Sequence, residues 1–123
     1  MAENKTRIVD AREVEWQDGA AVLTLPEGVR VKILAEDKET GRTDMLINFP
    51  PGYVEPRHTH TAFHSCVLLE GRWIVEGKEL APGGYMFGPP GEGQPHGPFE
   101  CPEGCIVFVS FHGGTGDGIH HNY

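Results

Sequence analysis

"PRHTHTAFHSCVLLEG", Pro56 to Gly71, places three histidines, His58, His60 and His64, within seven residues of an otherwise apolar stretch. Successive side chains of a β-strand alternate between its two faces. All three histidines hold even positions, so an extended segment directs them to one side. His58 and His60 then lie about 7 Å apart along the strand, and their imidazoles can converge on one ion. His64 needs some twist or a bend to join them. Cys66 and Leu68 extend the same face, which sets the cluster at the mouth of an apolar cavity. A lone histidine reads as a satisfied polar group, but three on one face do not. Packed together without an ion each loses solvation, and any that takes a proton repels the others. Neutral imidazole is a common ligand for Zn, Cu, Fe, Ni and Mn. The cluster therefore predicts a site for one divalent transition metal. His96, in "GEGQPHGPF", is the candidate fourth ligand, because two strands later the chain can return beside the cluster in an antiparallel sheet. His112, at a strand end, and His120 and His121, in the tail, read as solvent-facing.

Strand-like alternation recurs on both sides of this stretch, and helical periodicity is weak throughout. "VRVKILAED" sets Val29, Val31 and Ile33 against Arg30 and Lys32. "ETGR" at 39–42 reads as a hairpin turn, followed by "TDMLINF" with Met45, Ile47 and Phe49 on one face. "PPGY" at 50–53 breaks that strand. "HSCVLLE" and "RWIVEG" are two strands around Gly71, "APGG" at 81–84 is a tight turn into "YMFG", and "PPGEGQPHGP" is a loop. "GCIVFVSF" is the last long strand, and "GGTGDGIHHNY" is a loose tail unless it packs back. Short strands punctuated by Gly and Pro predict an all-β sandwich or barrel, and a jelly-roll barrel enclosing a cavity fits best. The 123 residues suit one domain. Within it we expect an N-terminal strand or arm over 1–28, a barrel over 29–112 and a Gly-rich C-terminal tail over 113–123. "TRIVDAREVEW" is expected to form an edge strand that pairs with a second subunit, giving a homodimer.

The formal net charge of −8 argues against nucleic acid and anionic membranes as partners, since both need a basic patch. Apolar runs are too short to span a bilayer, and "MAENKTRIVD" has no apolar signal core, so a cytoplasmic location is the expectation. Three cysteines suggest no disulfide framework. A zinc clip at "CPEGC" would need two ligands beyond Cys101 and Cys105, with His112 the one nearby candidate; plain thiols are the simpler reading.

The histidine segment resembles the first motif of the cupin superfamily. Gly52, five residues, His58-Thr-His60, three residues, His64, six residues and Gly71 keep every spacing of that motif. His64 stands where the family has glutamate. The second motif is looser: Gly83 and Pro89-Pro90-Gly91 fit, four residues rather than two precede His96, and Glu100 replaces asparagine. The resemblance covers roughly residues 45–112. It implies a cupin double-stranded β-helix, a jelly-roll barrel, with one metal held inside by His58, His60, His64 and His96. An all-histidine site keeps the ion's full charge in a low-dielectric cavity and favours an anionic ligand such as an enolate. Similar all-histidine cupins include iron-dependent dioxygenases of β-diketones and hydroxyacetophenones.

The resemblance thus implies an iron dioxygenase that cleaves a C–C bond of a small diketone or hydroxyketone bound as its enolate. Manganese, zinc or nickel would suit the same imidazoles. Phe49, Phe63, Trp73, Met86 and Phe108 are candidates for the apolar wall, and Glu70 and Glu100 are candidate bases only by their nearness in sequence. Two other readings stand beside this one. The first is a zinc- or manganese-binding regulatory or sensor cupin without turnover, which would need a separate partner protein. The second is a metal-dependent isomerase or lyase, for which Arg57 and Arg72 are the nearest basic residues.

Overall fold

The computed structural model describes residues 6–18, 26–55, 59–60, 63–89, 98–112 and 121–122. The described chain is almost entirely β. Its strands are β1 (Arg30–Asp37), β2 (Arg42–Phe49), β3 (Tyr53–Glu55), β4 (Thr59–His60), β5 (Phe63–Gly71) and β6 (Trp73–Val75). They continue as β7 (Lys78–Leu80), β8 (Tyr85–Gly88), β9 (Phe99–Cys101), β10 (Cys105–His112) and β11 (His121–Asn122). One five-stranded sheet has the order β1-β2-β10-β5-β8, and a four-stranded sheet has the order β3-β9-β6-β7. β11 pairs with β4 in a two-stranded ladder. Every pairing is antiparallel, and non-consecutive strands are neighbours, as in a jelly roll.

The two larger sheets share one core. Val31, Met45, Ile47, Leu68 and Val107 come from the five-stranded sheet, and Trp73, Phe99 and Cys101 from the four-stranded one. Strand period decides who enters it: on β2 Met45, Ile47 and Phe49 are buried, as the alternation predicts. On β5 His64, Cys66 and Leu68 share the buried face. The register of β5 against β10 then slips by one residue, with Leu68 opposite Val107 but Glu70 opposite Ile106. Leu69 falls in that bulge and is exposed.

Two expectations need correction. The segment 6–16 is not a strand in the isolated chain. Ala11–Glu13 form a 3-10 turn capped by the Asp10 carboxylate, and the arm meets β1 through the Gln17–Val31 bridge and through Lys32, which donates to the Ala11 carbonyl and lies over the Trp16 ring. Phe108 does not line the interior. It lies on the outer face of β10 beside Leu34 and the arm, at an open groove of about 450 Å³, while Phe111 takes the interior place. Of the tail, His121 and Asn122 are described, and as β11 they pair with β4, the packed-back alternative for that end of the chain. Four short strands, β3, β4, β7 and β9, were not legible in the alternation; two or three residues are too few to show a period. No helix among the described residues is long and apolar enough to cross a membrane.

Candidate functional site

His64 is the best-defined member of the histidine cluster. It enters the space between the sheets from β5 and is 5% exposed. Its cross-strand neighbours are Phe111 on β10 and Gly88 on β8. The Phe111 ring lies against the imidazole, with centroids 5.3 Å apart. On the other side the imidazole occupies the room that Gly88 leaves: a Cβ there would stand 2.2 Å from Cε1 and 2.7 Å from Nε2. An aromatic wall and a missing side chain therefore hold the ring between them.

His60 lies on β4, and its backbone pairs with His121 on β11. His58 and His96 lie outside the described residues, as do Arg57 and His120. β4 ends at His60 and β5 begins at Phe63, and what joins His58, His60 and His64 lies outside the described residues. Among the described residues no three His, Cys, Asp or Glu side chains are grouped so as to hold an ion. The fit to a metal therefore stands on His64, an interior nitrogen donor in a cradle that a single methyl group would fill.

Sequence reasoning missed the carboxylate of this interior. Glu55 is 4% exposed, and the Tyr53 hydroxyl donates a hydrogen bond to its Oε1. Tyr53 and Glu55 share the inner face of β3, while Val54 between them is 57% exposed. The apolar residue points out and the acid points in, the reverse of the usual amphipathic rule, so hydropathy conceals the pair. Around them lies a ring cluster. Phe49 stacks on Tyr53 at 5.0 Å, Phe99 meets Phe49 edge-on at 5.2 Å, and Trp73 meets Phe99 at 5.5 Å. The Trp73 indole N–H is buried and makes no hydrogen bond among the described residues. Glu70 and Glu100, the acids nearest the motifs, are exposed.

The remaining candidates are the cysteines, His112 and Arg72. Cys66, Cys101 and Cys105 are free and buried, and burial pushes all three thiols up from the usual cysteine range. Thiols raised by burial are poor nucleophiles. Cys105 donates its S–H to the Arg72 carbonyl at 2.9 Å. His112 ends β10 seven residues after Cys105, roughly 23 Å along the strand, so it cannot complete a zinc clip. It is not simply solvated either. Its Nε2 lies 3.0 Å from Ser110 Oγ, which bonds to Asp44, and Arg42 grips the Asp44 carboxylate at 2.8 Å. This chain runs along the outer face of the five-stranded sheet. Arg72 meets Glu79 at 3.3 Å.

An antiparallel barrel with an interior histidine on the first motif defines a cupin. The chain belongs to the family described as the ChrR cupin-like domain, which matches residues 4–114. In solved structures the fold is similar to a candidate acetylacetone dioxygenase from Methylibium petroleiphilum. That match has a TM-score of 0.71 and 23% identity over 92% of this chain and 81% of the other. It is also similar to the anti-sigma ChrR in complex with SigE from Rhodobacter sphaeroides. There the TM-score is 0.59 and the identity 22%, over 83% of this chain and 51% of the other. In sequence, 56 residues are 38% identical to the DNA damage-repair/toleration protein DRT102 of Arabidopsis thaliana. The match takes in 41% of this chain and spans only 18% of that relative's length.

Proposed function

We propose that this chain is a metal-dependent cupin dioxygenase that cleaves a C–C bond of a small, enolisable diketone or hydroxyketone. His58, His60, His64 and His96 would hold one divalent metal, iron in this reading. The observation that carries it is the His64 imidazole, buried between the sheets and held by Phe111 and Gly88. Bound ferrous iron would supply a Lewis acid for the ketone oxygen and the redox partner for O2. The chain's own residues do the rest. The imidazoles would position the ion, the Phe111 ring packed against His64 would exclude water from it, and an apolar wall selects a small organic ligand over a phosphorylated one. The fold similarity to a candidate acetylacetone dioxygenase supports this substrate class. Protein purified anaerobically and reconstituted with Fe(II) is expected to hold one iron per chain. It is expected to consume O2 only when acetylacetone or a hydroxyacetophenone is added. His60→Ala should lower both iron content and uptake by at least ~100-fold. Iron bound without substrate-dependent uptake would sink the oxygenase reading.

The family description and the similarity to the anti-sigma ChrR favour one second reading, a metal-binding regulatory cupin without turnover. One tightly held zinc with no O2 uptake would select it. In either case we propose a homodimer. Ile8 on the arm is 90% exposed and Val9 42%, next to the outer groove that Arg7, Val9, Leu34 and Phe108 line, and a second copy would cover these apolar residues. Deleting residues 1–16 should convert the dimer to folded monomer by light scattering, and an unchanged dimer would overturn this assignment.

A further inference from the structure

We infer that a second copy of this chain docks on the outer face of the five-stranded sheet, about a two-fold axis running along β10 that lays β8 of each copy over β1 of the other. This rests on the homodimer reading above and extends it from the arm to a whole face. An antiparallel sheet with one face on a core normally presents polar side chains on the other. Here the strand register sets Lys32, Leu46, Phe108, Val67 and Tyr85 in one outward row across all five strands. Lys32 is its one charge, and it is turned to the arm, over the Trp16 ring and bonded to the Ala11 carbonyl. A neighbouring row runs Ala35, Asp44, Ser110, Ser65 and Phe87. At the β8 end Tyr85 is 59% and Phe87 49% exposed, and bare aromatics on a sheet's edge strand invite association. At the β1 end lies the open groove of about 450 Å³ that Val9, Leu34, Ala35 and Phe108 line. The face thus carries a projection at one end and a recess at the other.

Symmetry selects how two such faces meet. β10 is the middle strand of the five. Sheets packed face to face about an axis along it keep each row on its own row and exchange the two ends. Phe108 then meets the partner's Phe108 on the axis, and Leu46 faces the partner's Val67. Phe87 enters the groove beside the partner's Ala35, and Tyr85 lies over the partner's Lys32. An axis across the strands would set aromatic on aromatic at one end and groove on groove at the other. Charge favours the same choice. Chains of net charge −8 repel one another, so self-association must bring outward cations against acids. A third row runs Arg30, Asn48, Ile106 and Glu70, with its cation on β1 and its acid on β5. Exchanging the ends brings Arg30 toward the partner's Glu70 at both rims of the face. Arg30 donates to the Trp16 carbonyl, and its nearest carboxylate, Asp18, is 3.5 Å away and almost fully exposed. So weak a surface pair leaves the guanidinium able to turn to another acid.

Sedimentation equilibrium of the full chain measures the dimer dissociation constant. Wild-type protein is expected to be a dimer. Phe108→Lys sets two ammonium groups against each other on the axis and should weaken the dimer at least ~100-fold, with a cooperative melt retained by circular dichroism. Tyr85→Lys/Phe87→Lys removes both projecting rings and should weaken it at least ~10-fold. Arg30→Glu and Glu70→Arg should each weaken it by about 10-fold. The double variant Arg30→Glu/Glu70→Arg should recover most of that loss, because the reversed charges meet again across the interface. If Phe108→Lys does not fold, the β8 and charge-reversal variants decide. A dimer that none of these variants weakens places the second copy elsewhere, which overturns the inference and leaves the homodimer reading intact. A double charge reversal as weak as the single ones overturns the axis along β10. Wild-type protein that is monomeric overturns both and leaves the face to a different protein.

Discussion

Gly71→Ala is expected to be the most damaging single methyl addition in the barrel. Gly71 ends β5 with φ +95°, a conformation L side chains rarely adopt. A Cβ placed there would meet the Gly104 carbonyl oxygen at 2.1 Å and the Cys105 Cα at 3.1 Å. Both obstacles are backbone, so no rotamer change relieves them. The close approach has a structural cause: Gly71 is the strand partner of Cys105, and Gly104 closes the Cys101–Gly104 turn with its N–H on the Cys101 carbonyl. Two turns that each link the two larger sheets therefore touch at two glycines. The φ penalty is ~1 kcal/mol, and the clash should bring the total to roughly 3–4 kcal/mol, near the upper end for one substitution. Against a native stability of about 5–15 kcal/mol, that should lower the melting temperature by more than ~10 °C. Gly52→Ala is the control. Its φ is +79°, but nothing lies within 4 Å of the added carbon, so it should cost only ~1 kcal/mol. Thermal melts followed by circular dichroism decide the matter. Equal losses in the two variants would show that the Gly104 contact carries no weight.

The architecture was legible wherever a strand was long enough to display its period. The inward faces of β2 and β5 follow from alternation alone, because Met45, Ile47 and Phe49, and then His64, Cys66 and Leu68, each recur every second residue. The turn at 39–42 follows from Gly41, whose φ is +76°. The short strands of the second sheet were hidden for a physical reason. β3, β7 and β9 have three residues each, and they are specified by their partners rather than by local pattern. The placement of Phe108 failed on parity. Even positions of β10 face outward, so Phe108 could not share a wall with Val107, Val109 and Phe111. At the site, strand alternation set His64 on the face of Cys66 and Leu68, where it is buried, but showed nothing of what surrounds it. Phe111 and Gly88 come from strands more than twenty residues away in sequence, and only tertiary pairing brings them together. Glu55 was missed because an acid in the core contradicts the prior that charges lie outside. Such local conflicts with the global pattern concentrate at sites built for chemistry.

Gly88 gives the sharpest test of that arrangement. No positive φ restricts this residue, so alanine is tolerated by the backbone. Its methyl group, however, would sit 2.2 Å from Cε1, 2.7 Å from Nε2 and 2.8 Å from Nδ1 of His64. The imidazole cannot retreat toward β10, because the Phe111 ring already lies against it. Gly88→Ala must therefore rotate His64 out of its present orientation or push β8 away from β5. Overpacking of this kind costs about 1–3 kcal/mol in the metal-free protein. If His64 is a ligand, the misdirected nitrogen should also weaken metal binding about 10- to 100-fold, as other losses of ligand orientation do. Chelator competition measures the second effect and a melt of metal-free protein the first. The double variant Gly88→Ala/His64→Ala resolves the two. With the ring removed, the methyl group has room, so the double variant should be no less stable than His64→Ala alone and should bind metal equally poorly. That non-additivity is the signature of two residues in contact. Gly88→Ala protein that loses stability but keeps wild-type metal affinity would mean that the His64 nitrogen is not a ligand, and that Gly88 exists only to let an aromatic core close.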